Sequence, residues 1–294
     1  MKLVTFSCRG HTGIGKVVGH TVIDLATTDP SLPRSLRALL AGGPALMQRV
    51  RAIEPEGSAT YPLADVRLEA PVPDASKYLA IGMNYRAHAE EARQAGVQVP
   101  DSQVWFNKQV SCINGPFDPV HMPRVSDKLD YEAELGVVIG RRCRHVPRER
   151  AREVIAGYLV CNDVSVRDWQ RRSATMTLGK SFNTTGPIGP WLVTDDEVAD
   201  PHDLRIRMYV NGELLQDVNT GEMIHNIYDQ IAYLSTVMTL EPGDLIATGT
   251  PAGVGAARQP PRFLQLGDVM RVEIDGIGHI QNTVVAEPDG LPFA

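Results

Sequence analysis

Glu132 and Glu134 stand two residues apart in the run Asp130-Tyr131-Glu132-Ala133-Glu134-Leu135-Gly136-Val137-Val138-Ile139-Gly140. Side chains alternate along a strand, so both carboxylates point to one face. The stretch that follows is apolar on both faces and should carry the pair towards the interior. Two like charges in a partly dry setting are costly unless something positive sits between them. Asp163 ends a second apolar run, residues 155–162, where a strand would deliver a third carboxylate to the same edge. Three carboxylates without a nearby Cys or His describe a hard, oxygen-preferring site: Mg2+ first, Mn2+ second, Ca2+ third. An exposed alternating strand with an unrelated Asp cap is the plainer alternative.

His88 and Glu91 lie three residues apart in residues 84–95, the clearest short helix, which Gly96 should stop. That spacing puts them on one helix face, where a carboxylate can orient an imidazole that draws a proton from water. A charged helix after a strand also suits a mobile lid; an ordinary surface helix with a chance His–Glu pair is the bland reading. Arg167, Gln170 and Lys180 supply cations and an amide, as a carboxylate-bearing substrate beside a metal would require. Salt bridging to acidic neighbours would account for them as well. The loop Thr248-Gly249-Thr250-Pro251-Ala252-Gly253-Val254-Gly255 could offer backbone N–H groups to an anion or simply turn the chain. It lacks the Lys-Ser/Thr ending of a P-loop.

Taken in order, Asn84-Tyr85-Arg86-Ala87-His88, Tyr131-Glu132-Ala133-Glu134-Leu135-Gly136, Asn162-Asp163-Val164-Ser165-Val166-Arg167-Asp168, Gly179-Lys180-Ser181-Phe182 and Thr248-Gly249-Thr250-Pro251 resemble the fumarylacetoacetate hydrolase family. The match spans roughly residues 68–283, and five ordered motifs are far more specific than one. The resemblance implies an α+β fold: a mixed β-roll, barrel-like catalytic domain with a small N-terminal α+β domain, usually in a homodimer. It implies that Glu132, Glu134 and Asp163 ligate Mg2+ or Mn2+ and that His88 with Glu91 activates water from a lid. It further implies that Lys180, Arg167, Gln170 and Thr250 contact the substrate, with Lys180 neutralising an oxyanion. Asn183 departs from the pattern, since the family more often has Asp there, which removes a charge near Lys180.

The reaction expected from the resemblance is hydrolysis of a C–C bond in a 1,3-diketo acid. An acylpyruvate such as fumarylpyruvate or maleylpyruvate would give pyruvate and a carboxylic acid, as in aromatic-ring degradation. Oxaloacetate decarboxylation and keto–enol isomerisation of a 2-oxo acid share the enolate and are the alternatives. A non-catalytic, metal-stabilised binding module is the reading from a different class.

Behind these motifs the elements divide at about residue 70. Residues 1–70 read as a small unit with strands at 2–6, 15–18 and 21–25 and helices near 35–40 and 45–53. A proline-punctuated connector over 61–73 leads to a Gly- and Pro-rich catalytic part, residues 71–294, with strands at 78–83, 135–139, 158–161, 204–210, 244–248 and 269–274. Lys+Arg 29 against Asp+Glu 35 gives a net charge of −6, which argues against nucleic acid as the main partner. The arginines at 141, 142, 144, 148, 150 and 152 then read as a solvated strand end and helix start. Four cysteines without CxxC or zinc spacing read as idle thiols, the apolar run at residues 1–6 reads as too short for a signal peptide, and no membrane span is expected. A cytoplasmic enzyme for a small 2-oxo acid is the expectation.

Overall fold

A computed structural model describes residues 1–94, 96 and 98–290. Its frame is a twelve-stranded mixed sheet whose main path runs Thr60–Pro62, Thr21–Asp24, His11–Val18, Lys2–Cys8, Gly186–Thr194, Ile155–Asn162, Ala133–Ile139, Leu245–Ala247, Tyr78–Gly82 and Val104–Lys108. The path has two open ends, so the sheet does not close into a barrel. The fold is α+β with large sheets and few helices, as expected.

The apolar motif strand Ala133–Ile139 lies inside this sheet, between Ile155–Asn162 and Leu245–Ala247. Its alternation serves two cores. Leu135, Val137 and Ile139 pack with Ile206, Met208, Val272 and Ile274 of a second, five-stranded sheet. Val138 faces the other way, into a cluster with Leu36, Leu39, Leu40 and Val50 from the N-terminal helices Leu36–Ala41 and Gly43–Ala52. A strand buried on both faces needs the continuous apolar run seen here, each buried aliphatic side chain contributing ~1.5–3 kcal/mol. By the same alternation Glu132 and Glu134 fall on the Val138 side, where the strand emerges.

Residues 1–70 contribute an antiparallel meander, and its first strand pairs with Gly186–Thr194 at Lys2↔Val193 and Leu3↔Leu192. The chain therefore runs one sheet through both parts. Ser35 caps Leu36–Ala41 by accepting the Ala38 N–H at 3.2 Å. Gly186–Thr194 is a further strand outside those expected from the sequence, and it carries Pro187 and Pro190, which are unfavourable in a central strand. The ladder tolerates them: pairing to Ile155–Asn162 shifts between Tyr158 and Val160, leaving Pro190 outside the paired register. Also unforeseen is the helix Ile227–Val237, although Asn226 and Asp229 form a capping box at its start.

The helix expected over 84–95 runs Arg86–Gln94, and Gly96 follows with φ 78°, the left-handed conformation that ends helices. Ala95 and Val97 lie outside the described residues. The basic stretch ends in a 3-10 helix, Arg148–Val154, with Arg142, Arg148, Arg150 and Arg152 paired to Glu241, Asp229, Glu153 and Asp195. All four cysteines are free. Among the described residues no helix is long and apolar enough to cross a membrane.

Candidate active site

Strand pairing assembles the acidic triad. Ala133 pairs with Asn162 and Glu134 with Cys161. Extending that antiparallel register by one step sets Glu132 opposite Asp163, and the Asp163 N–H donates to the Glu132 carbonyl at 2.9 Å. Asn162 Oδ1 accepts the Glu132 N–H at 3.0 Å and holds the strand end in place. One oxygen from each of Glu132, Glu134 and Asp163 lies within 4.8 Å of the others, and all three residues are buried. These are the three carboxylates that the strand spacing placed at one edge.

Their electrostatics are unequal. Burial opposes ionisation of Glu132, but Arg167 and Lys180 outweigh it and hold the carboxyl at about 2. Lys180 Nζ donates to Glu132 Oε2 at 2.6 Å and to Asp163 Oδ2 at 2.7 Å. Arg167 Nη2 lies 2.5 Å from Glu132 Oε1, an ion pair whose N–H bonds do not aim at the oxygen. Glu134 is the opposite case. Burial, then the negative charges of Asp163 and Glu132, push its carboxyl well above the ordinary carboxylate range. Only the Gly249 N–H, at 2.7 Å, donates to it, and its second oxygen has no hydrogen bond from the described residues.

This donor set fits a hard divalent cation. It is three carboxylates without sulfur or imidazole, and Glu134, the least compensated of them, is the one a cation would relieve. A buried triad able to hold such an ion is a property of this chain.

Lys180 arrives on the 3-10 turn Thr177–Lys180, entered through Met176 at φ 58° and packed under the short helix Arg167–Gln170. A Cβ on Gly179 would stand 2.1 Å from the Gln170 backbone nitrogen, so only glycine lets the turn approach this closely. Asn183 is exposed and makes no hydrogen bond to Lys180, whose partners are Glu132 and Asp163. The departure from the family pattern therefore leaves these contacts untouched.

Arg167 Nε donates to buried Asp130 at 2.8 Å and Nη1 to Gln170 Oε1 at 2.9 Å. Thr250 Oγ1 donates to the Ala133 carbonyl at 3.1 Å and accepts from Gln216 at 2.9 Å, so its hydroxyl braces the strand that carries the triad. The Gly-rich loop does offer N–H groups to anions, and these anions are the protein's own: Glu134 at Gly249, Asp130 at Gly255 and Ala256, Glu91 at Gly253. His88 Nδ1 and Glu91 Oε2 are 2.9 Å apart, with side chains 16% and 26% exposed. A cavity of about 430 Å3 collects His88, Glu91, Glu132, Glu134, Arg167, Gln170, Lys180 and Thr250 on its walls, and Asp163 lies buried behind them.

Three contributors were missed in the sequence. Lys108 is fully buried and donates to Asp163 Oδ1 at 2.8 Å and to the Thr185 carbonyl at 2.9 Å. Burial disfavours its ammonium, yet the surrounding negative charge, Asp163 foremost and Glu132 with it, outweighs burial and raises its pKa. Gln216, also buried, accepts the Ala133 N–H at 3.0 Å and donates to Pro251. Asn84 roots the helix by donating to the carbonyls of His225 and Thr248 and accepting the His225 N–H. Lys108 and Gln216 have no local signal, since each acts on partners far along the chain, and Asn84 stands in a quoted motif without any sign there of its partners. Asp130, which opens the quoted motif, could have been suspected.

Residues 77–285 match the family described as fumarylacetoacetate (FAA) hydrolase C-terminal. The mitochondrial oxaloacetate tautomerase fahd2 of Xenopus laevis is 42% identical over 291 residues, covering 97% of this chain and 90% of the relative. A fumarylacetoacetate hydrolase from psychrophilic Exiguobacterium antarcticum superposes with a TM-score of 0.85 at 37% identity, covering 98% of this chain and 100% of that one. A maleylpyruvate hydrolase from Sphingobium sp. SYK-6, solved with manganese (II) and pyruvate, does so with a TM-score of 0.81 at 35% identity and the same coverage.

Proposed function

The chain belongs to the fumarylacetoacetate hydrolase family, and from that premise we propose that it is a metal-dependent keto–enol tautomerase of 2-oxo acids, acting on oxaloacetate. The observation that carries this reading is the near full-length likeness, at 42% identity, to a relative named for that reaction. It takes the alternative raised by the sequence ahead of acylpyruvate hydrolysis.

Tautomerisation moves one proton between the carbon beside the 2-oxo group and the 2-oxo oxygen, and consumes no water. In the proposal Glu91 accepts the Nδ1–H of His88, which leaves Nε2 with a lone pair for that proton. The same pair returns it in the reverse direction. Lys180 spends two of its three N–H bonds on Glu132 and Asp163 and keeps one for the oxygen where charge develops. Arg167, steadied by Asp130 and Gln170, and Gln170 itself orient the substrate carboxylate, while Thr250 stiffens the wall. A Mg2+ or Mn2+ ion held by Glu132, Glu134 and Asp163 would supply Lewis-acid stabilisation of the enolate charge. Lys108 keeps Asp163 oriented from behind.

Acylpyruvate hydrolysis is the second reading, favoured by the likeness to the Sphingobium enzyme. There the His88–Glu91 pair would deprotonate water. The two separate on product. Oxaloacetate is added in its enol form with Mg2+ or Mn2+, with chelator as control, and the enol absorbance is followed alongside carbon dioxide release. Faster decay without carbon dioxide supports the tautomerase, whereas carbon dioxide release indicates decarboxylation. Pyruvate plus an acid from an acylpyruvate, with no effect on oxaloacetate, replaces the proposal with hydrolysis.

A further inference from the structure

Three Lys or Arg side chains line the cavity, and two are committed to the protein. Lys180 is held by Glu132 and Asp163, and Arg167 by Asp130 and Glu132. The third, Arg171, is exposed and has no side-chain hydrogen bond or ion pair among the described residues. Its neighbour Arg172 is engaged elsewhere, stacked 3.7 Å over the Trp169 ring.

Arg171 caps the helix Arg167–Gln170 with φ −80° and ψ −6°, and its N–H reaches the Arg167 carbonyl at 3.3 Å. It therefore follows Arg167 by one helical turn on the same face, a rise of ~6 Å. Ala92, Ala174, Met176, Val254 and Ala257 make much of the surrounding wall apolar. An unpaired guanidinium set over such a wall is a receptor for a carboxylate that enters with the substrate.

We propose that Arg171 is the specificity-determining residue that receives the distal carboxylate of a 2-oxo dicarboxylate. The reacting end of the same molecule then sits at Lys180 and the acidic triad. The assignment rests on the 2-oxo acid reading of the cavity and adds to it a preference for diacids over monoacids.

The test compares the Mg2+-loaded full chain with Arg171→Ala and Arg171→Lys, using Arg172→Ala as control. Proton NMR follows solvent deuterium exchange at the carbon beside the 2-oxo group of oxaloacetate and of 2-oxobutanoate. A lost charge-assisted hydrogen bond is expected to lower kcat/KM for oxaloacetate by about 10- to 100-fold, through KM, and to erase the preference over 2-oxobutanoate. Arg171→Lys should restore part of that preference and Arg172→Ala should keep it. An unchanged ratio in Arg171→Ala overturns the proposal. Calorimetry with L-malate and L-lactate as probes separates this from the chemistry. A malate preference present in wild type and lost in Arg171→Ala upholds the assignment even if exchange is not catalysed, in which case only the tautomerase reading fails. A malate preference equal in both proteins overturns Arg171 whatever the activity.

Discussion

Glu132→Gln and Glu134→Gln should move the stability of the metal-free protein in opposite directions, although the two residues are neighbours on one strand face. Glu132 is held at about 2 against an ordinary 4.5 by Arg167 and Lys180, which overcome burial. At 1.36 kcal/mol per pH unit the gap corresponds to about 3 kcal/mol of stability in the ionised form. With ~2.1 cal/mol/K of unfolding entropy per residue, a chain of 294 residues loses about 5 °C in Tm when that is removed. Glu134 is raised, by burial and then by Asp163 and Glu132, so its folded form binds a proton more readily than its unfolded form. Its contribution is favourable below 4.5 and is lost as pH rises through the folded value. Glu134→Gln keeps an acceptor for the Gly249 N–H and should raise the Tm of chelated protein above wild type at pH 7, the gap widening from pH 4.5 upward. The assay is thermal unfolding with chelator and then with Mn2+. At one hundred times its Kd, Mn2+ should stabilise wild type by about 2.7 kcal/mol, or about 4 °C, and this shift should largely vanish in both variants. If chelated Glu134→Gln melts no higher than Glu132→Gln, or keeps the full Mn2+ shift, the charge argument for the site is wrong.

Further expectations follow from single contacts. His88→Ala should lower kcat by about 10²–10⁴ while the Mn2+-induced rise in Tm is retained, because His88 is not among the converging carboxylates; unchanged turnover removes it from the mechanism. Lys108→Met leaves Asp163 buried with one cation fewer and should cost about 3–5 kcal/mol in urea unfolding. Gly179→Ala sets a Cβ against the Gln170 backbone and should cost about 1–3 kcal/mol. It should also lower turnover by displacing Lys180, and wild-type turnover would show that the turn can shift freely. Acidification from pH 4.5 towards 2 should remove the Glu132 contribution, which is present above 4.5, and stability should fall less steeply across that window in Glu132→Gln than in wild type, the remaining slope coming from other carboxylates held low, such as Asp217 beside Arg205.

Much of the site could be read from local order because its members lie within short motifs. Alternation alone puts Glu132 and Glu134 on one face, helix spacing alone brings His88 to Glu91, and an apolar run ending at Asp163 predicts a strand that delivers it. The same local rules place the ends of most of the expected strands within a few residues. They fail where the determining contact is long-range. Nothing local to Gly186–Thr194 announces that Pro190 can sit in a central strand, since the register shift that spares it exists only in the pairing with Ile155–Asn162.

What the chain alone determined, then, is that Glu132 and Glu134 share one face and that His88 and Glu91 share one helix face, because backbone periodicity reaches over a few residues without help; Asp163 joins them through strand pairing. The unequal charge states of Glu132 and Glu134 were decided only by the tertiary structure. They depend on Lys180, Arg167 and the Gly249 N–H, each brought in from a distant segment. So does the support from Lys108, Gln216 and Asn84, whose partners lie 55 to 164 positions away. Electrostatic and hydrogen-bond energies are set by distance in space and by burial, and sequence separation carries neither.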